Sequence, residues 1–253
     1  MTRDGSKTPE LLIGIHPVAS ALRQHPQQVR RLVVAEGARN RRVRELEAQA
    51  RKLGIAVESR PRAELDRDSG GVRHQDVIAD FEAGNLFTEK DLDRVLDGIE
   101  GTPLVLVLDG VQDPHNLGAC LRTAEAAGVH LVITTKDRTA GLSAVARRAA
   151  AGAAETIPLL LATNLARVLR RLKERGIWLA GTADDAEQGL HDVDLCGPLA
   201  LVVGGEGQGM RRLTAETCDY LLCIPMQGTV SSLNVSVATG VCLFEIVRQR
   251  SNS

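Results

Sequence analysis

The chain has 253 residues, 43% of them hydrophobic and 25% charged, with a formal net charge of −1. That length fits one large α/β domain or two unequal ones, and the composition excludes a chain disordered throughout. No apolar run approaches the ~18 residues of a membrane helix, and the charged start lacks the apolar core of a secretory leader; residues 1–10 read as a flexible tail and the protein as cytoplasmic.

Val29–Ala35 reads as a strand and residues 40–53 as a helix, with Asn40 its N-cap and Gly54 its stop. Residues 55–58 read as a strand, 62–66 as a helix, 68–71 as a loop and Val77–Phe81 as a closing strand. Together they make a small α/β domain over residues 11–84. Within 23–62 stand eleven basic and four acidic residues. A solvated helix face or a nucleic-acid footprint explains such a run. Arg41, Arg42 and Arg44 are its candidate RNA contacts. The chain has 26 Arg against 5 Lys, and Arg serves planar, bidentate phosphate contacts better. Its five aromatic residues are too few for a protein that reads single strands by stacking. A helix over 88–99, capped by Thr88, runs into Gly101-Thr102-Pro103, so residues 85–103 read as a linker.

Residues 104–253 repeat strand and helix more strictly. Strands are expected at 104–108, 131–134, 157–161, 177–181, 199–203 and 220–224, and helices at 117–127, 145–151, 165–175, 210–217 and 234–248. The run at 104–108 is continuously apolar, as in a strand covered on both faces. The alternation predicts a mostly parallel sheet with helices on both sides. The last helix is apolar around nearly its whole circumference, so it needs a second partner, and a two-fold dimer is the economical expectation. The five cysteines form no C-x-x-C pair and read as small buried hydrophobes, so no metal site is expected.

Three loops follow predicted strands, at the strand ends where open α/β sheets bind ligands. The first, residues 109–118, reads as a turn followed by Asn116 as an N-cap, and leads to Arg122, which that local reading does not need. The second is Gly204-Gly205-Glu206-Gly207-Gln208-Gly209. It fits neither the phosphate loop nor the dinucleotide fingerprint, and Glu206 would repel phosphate. The third, residues 224–234, interleaves Ile224, Met226 and Leu233 with Ser231, Ser232 and Asn234. It reads as a loop capped by Ser232 or Asn234, or as a pocket with an apolar floor and a few hydrogen bonds.

Asn116-Leu117-Gly118 with Arg122, Gly204-x-Glu206-x-x-Gly209, and Ile224-Pro225-Met226 through Ser232-Leu233-Asn234 resemble the three motifs of SpoU/TrmH ribose methyltransferases, in the SPOUT superfamily. The resemblance runs from about Leu11 to Arg250. It implies a small N-terminal RNA substrate-binding domain over 11–84 and a SPOUT domain over 104–253 with a C-terminal trefoil knot. It also implies a homodimer with S-adenosylmethionine as methyl donor, no metal, and a guanosine 2′-hydroxyl in 23S rRNA as acceptor. A tRNA ribose methyltransferase and a non-catalytic RNA-binding ribosome-assembly factor are the alternatives.

The resemblance gives Gly204, Gly205, Gly209, Ile224, Met226 and Leu233 to the donor, and Arg122, Asn116, Glu206, Ser232 and Asn234 to the reaction centre. An Arg is an unsuitable resting base. Arg122 is therefore expected to bind the phosphate next to the reacting ribose and to stabilise developing alkoxide, from its own or the partner subunit. Ser232 or the substrate phosphate would relay the proton.

Overall fold

The computed structural model describes residues 10–24, 26–81, 86–136, 142–207 and 209–252. Of the expected tail, only Glu10 falls among them; residue 85 of the expected linker and Gln208 of the glycine loop lie outside.

Residues 10–81 build a four-stranded sheet. Its elements are β1 (Glu10–Ile13), α1 (Ile15–Gln24), β2 (Val29–Ala35), α2 (Arg41–Lys52), β3 (Ala56–Arg60), α3 (Arg62–Asp68) and β4 (Val77–Phe81). The order is β1-β4-β2-β3, with β4 antiparallel to both neighbours and β2 parallel to β3. Successive side chains of a strand point to opposite faces. Leu32 and Val34 accordingly join Leu12, Val18, Val43 and Leu46 in one core, and Val33 and Ala35 join Ile78 and Leu65 in another. Asn40 caps α2 as expected, accepting from the Arg42 N–H at 3.0 Å.

The second domain begins earlier than the sequence suggests. Its first element, β5 (Leu86–Thr88), lies within the expected linker and pairs with β8 (Leu159–Ala162) at one edge of an eight-stranded sheet. Thr88 is a cap, as the sequence suggests, and forms a capping box with Asp91. The box opens a single 3₁₀ turn, however, and α4 starts only at Leu92 (Leu92–Asp97). There follow β6 (Leu104–Asp109), α5 (Pro114–Ala126), β7 (Leu131–Thr135), α6 (Ala144–Ala150), and, beyond β8, α7 (Leu165–Glu174) and β9 (Trp178–Thr182). Short β10 (Gln188–Gly189), β11 (Leu199–Gly204), α8 (Arg212–Thr217), β12 (Tyr220–Cys223) and α9 (Val235–Ser251) complete the fold.

The sheet runs β10-β12-β9-β11-β6-β7-β8-β5, and every neighbouring pair is parallel. β6 is buried along its whole length. Leu104, Leu106 and Leu108 face the side covered by α5 and α9; Val105 and Val107 face the side covered by α4 and α7. On the first side α5 packs so closely on α6 that a Cβ at Gly118 would stand 2.3 Å from the Ala146 carbonyl oxygen. Only glycine permits that approach. Along α9, Val235, Thr239, Cys242, Leu243 and Ile246 are buried, while Val237, Val241 and Phe244 are exposed. Among the described residues no helix is long and apolar enough to cross a membrane.

Candidate active site

Because the sheet is parallel, β6, β11 and β12 deliver their following loops to the same edge. These are the three loops singled out in the sequence. The first corrects an expectation. Asp113, not Asn116, caps α5: its carboxylate accepts from the His115 N–H at 2.8 Å, and Pro114 takes the first helical position. A proline there loses no hydrogen bond that the helix would have made. Asn116 thus lies inside the first turn with its side chain free for another task.

That task is to join the loops. The Asn116 side-chain amide donates to Glu206 Oε1 at 2.6 Å, and Asn116 Oδ1 accepts from Asn234 Nδ2 at 3.1 Å. The backbone N–H of Gln112 lies 3.4 Å from Glu206 Oε2. Asn234 is in turn the N-cap of α9, accepting from Ser236 N at 2.9 Å and from Ser236 Oγ at 2.6 Å. Of the two caps considered for this helix, Asn234 serves.

The glycine loop is shaped by its own close packing. A Cβ on Gly204 would come within 2.1 Å of the Gly209 and Met210 backbone, and one on Gly205 within 2.2 Å of the Gly110 carbonyl oxygen. Gly205 N donates to the Asp109 carbonyl at 2.9 Å, and Gly209 N returns to the Gly205 carbonyl at 3.2 Å. Beneath the loop, Asp109 is a buried carboxylate that sequence reasoning missed. It accepts from Arg211 N at 3.0 Å and pairs with Arg211 Nε at 3.3 Å, fixing the exit of the loop. An Asp at the end of a continuous apolar strand was the available signal.

The remaining expected residues are less tightly assembled. Ile224 and Met226 are half-buried after β12, with Ile224 against the core. Ser232 and Leu233 are exposed, and among the described residues the Ser232 hydroxyl makes no hydrogen bond. Arg122 is exposed on α5 and lines a cavity between the two domains, so one chain does not bring it into the Asn116–Glu206–Asn234 cluster. Arg41, Arg42 and Arg44 are exposed at the start of α2, where Arg41 pairs with Glu45 at 3.0 Å. Behind the cluster, burial pushes the Cys120 thiol up to about 11, and the charge of Glu206 adds to the rise. Among the described residues no group of three or more His, Cys, Asp or Glu side chains is arranged to hold a metal ion.

Comparison with known proteins places this geometry. Residues 103–244 match the SpoU rRNA Methylase family, and residues 11–86 match the RNA 2′-O ribose methyltransferase substrate-binding family. The chain is 54% identical over 242 residues to the 23S rRNA (guanosine-2′-O-)-methyltransferase RlmB of Pseudomonas aeruginosa, covering 96% of this chain and 97% of that one. It is 51% identical to the enzyme of the same name from Yersinia pestis, covering 95% of this chain and 98% of the other. Among solved structures, the SpoU methyltransferase AviRb from Streptomyces viridochromogenes, in complex with the cofactor AdoMet, superposes with a TM-score of 0.82 at 26% identity, covering 97% and 92% of the two chains. With both domains matched and the three motif loops joined at one sheet edge, the chain belongs to the SpoU rRNA methylase family.

Proposed function

We propose that this chain transfers a methyl group from S-adenosylmethionine to the 2′-hydroxyl of a guanosine in 23S rRNA. The observation that carries this reading is the Asn116–Glu206–Asn234 chain of hydrogen bonds, in a protein 54% identical along 96% of its length to an enzyme of that activity. The residues present fit the donor. Ile224 and Met226 offer half-buried apolar wall to an adenine. Cβ positions at Gly207 and Gly209 face open space, so the loop leaves room for a ligand. Backbone groups around Gly204, Ile224 and Leu233 would hold the adenosine part, Gly205 and Gly209 would let the loop fold around it, and the Glu206 carboxylate complements a sulfonium charge. When bound, the donor supplies an electrophilic methyl group on sulfur.

The protein's share is to prepare the acceptor. A ribose hydroxyl is a poor nucleophile until its proton is lost or strongly hydrogen-bonded. Arg122 binds the adjacent phosphate and stabilises developing negative charge on the 2′-oxygen, and Ser232 or that phosphate takes the proton. Positioning two reactants can supply ~7–11 kcal/mol of such a barrier, so a strong base is not required.

The reading includes a cytoplasmic homodimer, in which Arg122 reaches the partner's cluster, and a knotted C-terminal passage. The exposed stripe Val237, Val241 and Phe244 on α9 supports the dimer. The exposed Arg41, Arg42 and Arg44, in the domain matched as substrate-binding, support an RNA contact there. The test is methyl transfer from labelled S-adenosylmethionine into total rRNA and tRNA from cells lacking the gene, with ribose-methylation mapping. A single 2′-O-methylguanosine in 23S rRNA is expected. Label in tRNA alone overturns the substrate, and no label in either overturns the enzyme.

A further inference from the structure

A cavity of about 610 Å³ lies between the two domains. Its walls carry His16 and Arg23 from α1, Arg122 and Glu125 from α5, and Arg148 from α6. Three guanidinium groups and an imidazole therefore face one carboxylate. A second hollow, of about 450 Å³, is lined by His115, Val72 and again Arg148. Arg148 is thus common to both. His115 and Arg122 stand seven residues apart on α5, two helical turns, and so share one stripe of the helix. We term the α5–α6 surface that carries the two hollows the trough, and basic side chains stand along it.

Two of these charges are left without a counter-charge. Arg122 and Arg148 are exposed, and neither has an ion-pair partner among the described residues. The domains are held at the trough by other groups: Ser20 Oγ donates to the Gly152 carbonyl at 3.1 Å in a buried contact. Clustered, unneutralised guanidinium groups suit a polyanion, because each presents a planar fork to a phosphate.

We propose that this trough takes the RNA strand beside the methylated nucleotide, and that Arg148 and Arg23 grip its phosphates. The proposal rests on the methyltransferase reading for the identity of the strand. It adds two contacts outside the three motifs and outside the basic α2 surface. It also accounts for Arg122 lining the space between the domains: a strand lying in the trough passes directly over it.

The test uses the full chain and 23S rRNA transcribed in vitro. RNA affinity is measured across a salt series, with donor affinity by calorimetry and methyl transfer on the same preparations. Arg148→Glu is expected to weaken RNA binding about tenfold and to lower the salt slope by about one, as loss of a phosphate contact does. Donor affinity stays at the wild-type value and Tm falls by no more than the few degrees that a reversed charge in the last turn of α6 costs, and Arg148→Lys recovers most of the RNA affinity. Arg23→Glu behaves as Arg148→Glu does. Arg212→Glu, at a 91% exposed side chain on α8, leaves RNA binding unchanged. Wild-type RNA affinity and salt slope in Arg148→Glu would overturn the trough while leaving the methyltransferase reading intact. A wild-type chain that transfers no methyl, yet binds RNA through Arg148, would overturn that reading and keep the trough.

Discussion

Asn116 and Glu206 stand 90 residues apart in sequence, and the amide of one donates to the carboxylate of the other at 2.6 Å. The same amide group accepts from Asn234 through its oxygen, so one side chain fixes both neighbouring loops. Asn116→Ala frees the Glu206 carboxylate and the Asn234 cap together. A misplacement of about 1 Å at a reacting centre costs on the order of 100-fold in rate. We expect single-turnover methyl transfer to fall by about that factor, with the far-ultraviolet spectrum unchanged. A variant within threefold of wild type would show that the hydrogen bond is not used.

Arg122 is exposed and outside the cores, so its removal leaves the fold alone. Arg122→Ala is expected to lower turnover by on the order of 100- to 1,000-fold, the usual cost of losing one donor to a developing oxyanion. Affinity for S-adenosylmethionine stays intact. Calorimetry and turnover measured on the same preparation separate the two effects.

At Gly205 the neighbour is backbone. A Cβ there would stand 2.2 Å from the Gly110 carbonyl oxygen, which cannot rotate away as a side chain would. Gly205→Ala should push the glycine loop off the turn after β6. Overpacking of this kind costs about 1–3 kcal/mol, seen as a Tm lower by several degrees. Donor affinity should fall with it. An unchanged Tm would mean that the loop is looser than its packing indicates.

Phe244 is 51% exposed on the face of α9 that also shows Val237 and Val241. A stripe of this kind against water is the mark of an association surface. By light scattering we expect the wild-type chain to run as a dimer and Phe244→Glu as a monomer; a monomeric wild type would remove the stripe from the account of association. If Arg122 works across the interface, methyl transfer falls in step. Mixing this variant with wild type then measures how much activity the interface carries.

Glu245, on the inner side of α9, has its carboxyl lowered to about 2 by hydrogen bonds from Arg248, Gln249 and His191. Its folded-state value lies below the ordinary 4.5 of the free side chain. The stabilisation is therefore complete above about 4.5 and drains away as pH falls towards about 2. Thermal melts across that window should show acid loss of stability that is smaller in Glu245→Gln. Parallel curves for the two proteins would remove Glu245 from the account of acid sensitivity.

Much of this was written in local sequence. Val29–Ala35 and Val77–Phe81 were legible because short apolar runs between turn residues leave a strand few other choices. The parallel sheet was legible from alternation alone. Elements that depend on distant partners were not. β5 is three residues long and exists because β8, over 70 residues later, supplies its hydrogen bonds. β1 is four residues long and pairs with β4. The cap of α5 was misread because both Asp113 and Asn116 satisfy the local rule; Pro114 at the first helical position decides for Asp113. For the site, the three loops were legible as candidates. Their joining through Asn116 was not, since side-chain pairing across 90 and 118 residues leaves no local trace.

Those two separations also set a schedule. Local elements form early in folding, whereas contacts between distant segments wait for the chain to close large loops. On the ribosome, β6 and α5 emerge long before Asn234 does. A nascent chain can therefore finish its RNA-facing first domain, and most of the sheet, while the three-loop cluster is still open. A translation product cut short before Asn234 would lack α9 as well, and with it both the partner of Asn116 Oδ1 and the Cys242, Leu243 and Ile246 side chains that cover one face of the sheet.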